Sequence, residues 1–89
     1  MNELMAYLKS LPDGMSKVVF ASRCETTIGH LRNIGYGFSK CRPELAALVE
    51  EESGGAVRRW HLRPNDWHRI WPELRTAKGR PEFVEAKAA

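Results

Sequence analysis

The chain has 89 residues, 43% of them hydrophobic and 28% charged, which suits one compact domain with a modest core. Its apolar runs are too short to span a bilayer, and the opening "MNELMAYLKSLPDG" lacks the continuous apolar stretch of a signal peptide, so a cytoplasmic protein is expected. A formal charge of +3 and a pI of about 9.1 are by themselves a weak sign of an anionic partner. Cys24 and Cys41 fall in no zinc-ligand spacing, so buried thiols are expected, with no metal and no cofactor.

Leu4, Met5, Leu8 and Leu11 have the spacing of a first amphipathic helix, ended by the turn-forming Pro12-Asp13-Gly14. Ser16 is placed to cap a second helix running to about Arg23, with Val18 or Val19, Phe20, Ala21 and Cys24 turned inward. Thr26 and Thr27 offer the cap of a third helix to about Ile34, and Gly35 stands where a left-handed closing residue is expected. "YGFSKC" follows as a loop. Pro43 opens a fourth helix with a Leu45, Leu48 and Val49 stripe, ending at Ser53-Gly54-Gly55. Residues 58–62 suit one helical turn before Pro64, and Asn65 or Asp66 can cap another short piece that stops before Pro72. Beyond Leu74 there is little apolar periodicity, so residues 75–89 read as a loosely ordered tail behind a domain of residues 1–74. The expected class is all-α, a four- to five-helix bundle.

Charge is segregated along this order. Met15 to Arg42 holds five basic residues against Glu25 alone, Pro43 to Val57 holds four acidic residues and no basic one, and basic residues dominate again from Arg58 to Arg80. Such a chain can offer one face to phosphates and turn another away.

The stretch "FASRCETTIGHLRNIGYG" concentrates the functional signal. Helices two and three are joined by about three residues, Glu25 to Thr27, and Ala21 is the small residue that a sharp crossing needs. With Leu31 and Ile34 turned inward, Thr27, Ile28, Gly29, Arg32 and Asn33 turn outward. A helix that reads DNA needs this division. Arg32 suits guanine O6 and N7, Asn33 suits adenine, Ile28 suits a thymine methyl, and Gly29 permits close backbone approach. Phosphate contacts are expected from Ser16, Lys17, His30, Lys40 and Arg42, the first through a helix N-terminus.

This stretch, with "PELAALVEEESGGAV" and "LRPNDWHRIWPEL", resembles the Cro/YdaS-type helix-turn-helix proteins of bacteriophages and prophages over roughly residues 3–74. The resemblance implies a lambda-repressor-like bundle and a transcriptional regulator, commonly a repressor, in a bacterial cytoplasm at the nucleoid. It also implies a double-stranded DNA operator, bound as a homodimer through residues 27–34. One departure is clear. The family often has glycine in the turn where this chain has Glu25, and a non-glycine residue at positive φ costs on the order of 1 kcal/mol.

Other residues carry a structural and a functional reading side by side. Tyr36 and Phe38 can stack on a base or pack under their loop, and the need to close that corner favours packing. Trp60, Trp67 and Trp71 either seal the end of the core or form an interface with a second copy or another protein. Arg58, Arg59 and Arg63 extend the phosphate surface or solvate their segment. His61 and His68 have no catalytic partner pattern, and no nucleophile–base pair can be assembled, so an enzyme is not expected. The rival function is an antitoxin or adaptor that neutralises a partner through the tryptophan-rich end.

Overall fold

The computed structural model describes residues 2–83, and their regular structure is entirely helical. In chain order the elements are α1 (Glu3–Ser10), α2 (Gly14–Arg23), α3 (Ile28–Gly35), α4 (Pro43–Glu52), α5 (Arg59–Leu62), α6 (Trp67–Ile70) and a 3₁₀ turn, Pro72–Thr76. The result is a small all-α bundle. None of the described helices is long and apolar enough to cross a membrane.

Asn2 begins α1 by accepting a hydrogen bond from the Met5 N–H at 2.9 Å, and Leu4 and Leu8 carry its buried face. Helix α2 starts earlier than its sequence suggests. Its cap is Asp13, whose Oδ1 accepts the Ser16 N–H at 2.7 Å, so Ser16 lies inside the first turn. The Ser16 N–H, and then its hydroxyl, hold the Asp13 carboxyl below its ordinary range. The inward face follows from that start. Phe20, Ala21 and Cys24 are buried, with the half-buried Lys17 one turn before them on the same arc. Val18 and Val19 fall off that arc, at 52% and 43% exposure, so neither is a core residue.

Two clusters hold the molecule together. The larger joins Leu4 and Leu8 of α1, Phe20 and Ala21 of α2, Leu31 of α3, Leu45, Ala46 and Val49 of α4, and the loop residues Cys24, Cys41 and Val57. Both cysteines are free, and burial pushes each thiol up to about 11, so they are inert packing groups at neutral pH.

The smaller cluster is built from Trp60, Trp67 and Leu74, with Trp71, Ala77 and Phe83 packed against it. Trp60 and Trp67 meet edge-on at 5.6 Å. Of the two readings of these tryptophans, sealing a core is the one observed within the chain: Trp60 and Trp67 are buried in a second core, and Trp71 is half-buried beneath the Arg59 guanidinium. The tail expectation changes. Phe83 stacks on the His68 ring at 4.6 Å and meets Trp67 at 5.3 Å, so the chain docks back as far as residue 83. The remainder of the expected tail, residues 84–89, lies outside the described residues.

Candidate nucleic-acid interface

The α2–α3 junction is governed by how α2 ends. Thr26 N–H bonds to Ala21 O at 3.0 Å and Glu25 N–H to Ser22 O at 2.9 Å, which is the pair of bonds of a Schellman closure. That closure requires a left-handed residue at the Glu25 position, and Glu25 sits there with φ 61°. Helices α3 and α4 end in the same way, but with glycine in the left-handed place: Gly37 at φ 85° and Gly54 at φ 64°. The turn therefore has its regular geometry, and Glu25 carries the strain.

Thr27 caps α3 as its sequence suggests, accepting the His30 N–H at 3.1 Å. The far end differs. Gly35 is the last helical residue, and the left-handed position belongs to Gly37, whose N–H bonds to Ile34 O at 3.1 Å. A Cβ on Gly35 would come within 2.4 Å of Met5 Sδ, so this glycine serves the close approach of α1 to α3. The Asn2 amide also donates to Gly35 O, tying the start of α1 to the end of α3.

With α3 fixed at both ends, its two faces separate. Leu31 is fully buried, and Ile34 and Ile28 are half-buried against the main core. Thr27, Gly29, Arg32 and Asn33 are exposed, and the half-exposed Ile28 borders them. Arg32 makes no ion pair among the described residues. Of the five residues expected to read bases, Gly29, Arg32 and Asn33 share the exposed side of α3, while Thr27 caps its start and Ile28 packs partly against the core.

The residues expected to hold phosphate divide into three groups. Lys40 and Arg42 are exposed, on the loop that leaves α3, and make no ion pair among the described residues. His30 is half-buried in a shallow recess shared with Arg42 and the carboxylates of Glu25 and Glu44. Ser16 and Lys17 already have partners within the fold: the Ser16 N–H is held by Asp13, and Lys17 Nζ donates to Leu11 O at 3.1 Å. A carboxylate already occupies the positive end of α2, which disfavours a second anion there.

The downstream arginines are structural. Arg58 and Arg59 both pair with Glu50, at 3.0 and 2.9 Å, fastening α5 to the end of α4. Arg63 forks onto Asp66 and donates to Cys41 O at 2.9 Å, pinning the loop between α3 and α4. Packing under the loop, the reading favoured for Tyr36 and Phe38, is not what the structure shows: they are 60% and 80% exposed, and among the described residues their ring contact is with each other, centroids 6.1 Å apart. Among the described residues no three His, Cys, Asp or Glu side chains are grouped to hold a metal.

No protein-family model matches the chain, and no curated protein matches it significantly.

Proposed function

We propose that the chain is a sequence-specific double-stranded DNA-binding protein, a transcriptional regulator of phage or prophage type that represses by occluding an operator. The observation that carries this reading is the exposed side of α3, where Gly29, Arg32 and Asn33 stand clear of the fold while Leu31 is wholly buried behind them. Short groups and hydrogen-bonding forks on one face, with the other face locked, suit base edges in a major groove. Lys40 and Arg42 supply cations for the flanking strand. Two copies on a two-fold-symmetric site would set their α3 helices in successive major grooves about one turn apart. The reading assigns no catalytic step and needs no cofactor, and its compartment is the one that holds the DNA.

The test is fluorescence anisotropy on labelled DNA from upstream of the protein's own gene, beside a scrambled duplex, across a salt series. Preference on the order of 10³ or more for the first is expected. Arg32→Ala should lose roughly 1–3 kcal/mol on the preferred site and relax one base pair, whereas Lys40→Ala should weaken both duplexes alike. Equal, steeply salt-dependent binding to both duplexes would contradict base reading.

A second reading has one observation in its favour. Met15, Val18 and Val19 leave an apolar strip exposed on α2, at 71%, 52% and 43%. An antitoxin or adaptor would use that strip, rather than the inward-facing tryptophans, to hold a protein partner.

A further inference from the structure

Tyr36 lies at the C-cap of α3, one turn beyond Arg32 and Asn33. At 3.6 residues per turn, Gly29, Arg32, Asn33 and Tyr36 fall within an arc of about 100°. The exposed face of α3 therefore does not stop at Asn33. It continues through an aromatic ring, and Phe38 extends it past the helix.

Large apolar rings this exposed have two ordinary explanations, and neither fits. They are not on a loose loop: Phe38 N–H bonds to Asn33 O at 2.8 Å, Ser39 N–H to the same oxygen at 3.2 Å, and Arg63 holds Cys41 O. Nor do they cover the core: neither ring is among the residues packed in or against the two clusters. They are fixed in place and left in water.

The surrounding charge selects the occupant. Residues 26–43 contain Arg32, Lys40 and Arg42 and no acidic residue, and none of the three cations is ion-paired among the described residues. The acids that bound this stretch in sequence are Glu25 and Glu44, which line the recess beside His30 and Arg42. Two fixed rings between these cations match a DNA strand, with apolar deoxyribose faces between phosphates. A recognition helix reads bases near its N-terminal end, so its C-terminal end emerges beside a strand.

We propose that Tyr36 and Phe38 pack on the deoxyribose faces of the strand flanking the groove read by α3, with Lys40 and Arg42 on its phosphates. The assignment rests on the DNA-binding reading and adds to it a contact that gives affinity without sequence preference.

The test is a salt series of anisotropy titrations on a short labelled duplex of arbitrary sequence, so no operator is needed. Wild type is compared with Tyr36→Ala/Phe38→Ala and with Lys40→Ala. The ring variant should bind on the order of tenfold or more weakly, the scale of losing one buried aromatic, with an unchanged salt slope because no charge was removed. Lys40→Ala should lower the slope by about one. Sedimentation of each protein without DNA accompanies the titrations, and the ring variant, Lys40→Ala and wild type should sediment alike. Wild-type affinity in the ring variant would overturn the assignment, as would loss of a wild-type dimer on removing the rings, which would make this corner a self-interface. Absence of duplex binding by the wild type at low salt is a different failure, that of the DNA-binding reading itself.

Discussion

Glu25 is the residue on which the junction before α3 turns. Its left-handed backbone is imposed by the two bonds that close α2, and the two later helices meet the same demand with Gly37 and Gly54. A side chain in that conformation is strained, so Glu25→Gly should stabilise the fold by about 1 kcal/mol, read as a shift in the urea midpoint at constant slope. A lower midpoint would mean that the Glu25 side chain contributes more than the strain removes. This position was legible, because glycine is the residue expected there and its absence is visible in the sequence. Thr27 was legible for a similar reason, as a cap with a clear helix behind it. Gly35 and Gly37 were not separable, since either can close a helix. The decision came from Met5, which packs against Gly35 from 30 positions away in the chain. Likewise Asp13 was hidden in a Pro-Asp-Gly cluster that reads first as a turn, and the cap moved from Ser16 to it.

At the scale of the element, α3 trades helix propensity for an open face. Gly29 has nothing within 4 Å of where a Cβ would be, and its backbone is helical, so no packing demands a glycine. Gly29→Ala should therefore raise stability by roughly 0.5–1 kcal/mol. If the α3 backbone approaches the groove there, the same change should weaken duplex binding, so that stability and affinity move in opposite directions. Calorimetry and anisotropy on one preparation check this; unchanged affinity would remove Gly29 from the contact surface. The division of α3 into Leu31 and Ile34 against Arg32 and Asn33 was readable from period alone. Helix α2 was less so. Its valines look like core, but the face is set by Lys17, whose stem lies along the buried arc while its ammonium turns to Leu11 O. A long charged side chain on an inward arc leaves no hydrophobic signal.

The whole molecule is two cores that share Trp71 and are further joined through the Glu50 carboxylate. Glu50, at the end of α4, accepts both Arg58 and Arg59, and the three side chains are largely withdrawn from water. Glu50→Gln would leave two cations facing each other there, and a loss of roughly 1–3 kcal/mol is expected in denaturant unfolding, between the surface and buried limits for ion pairs. Tryptophan fluorescence should report the loosening first, since Trp60 and Trp67 fill the smaller core; an unchanged midpoint would show that the hydrophobic contacts alone join the halves. The main core was largely visible in the sequence as helical stripes. The second was visible only as one of two readings of its tryptophans, because it is assembled from four-residue helices, a 3₁₀ turn and a single aromatic, Phe83, none long enough to show a period. With these tryptophans docked inward, the proposed reading of DNA rests on α3 and the corner beyond it. The measurement that tests this most directly is selection from a random duplex library, carried out with wild type and with Arg32→Ala. An enriched motif from the wild type, with one base pair released in the variant, is the result predicted. No enrichment with the wild type, or the same motif undiminished from Arg32→Ala, would contradict reading through α3.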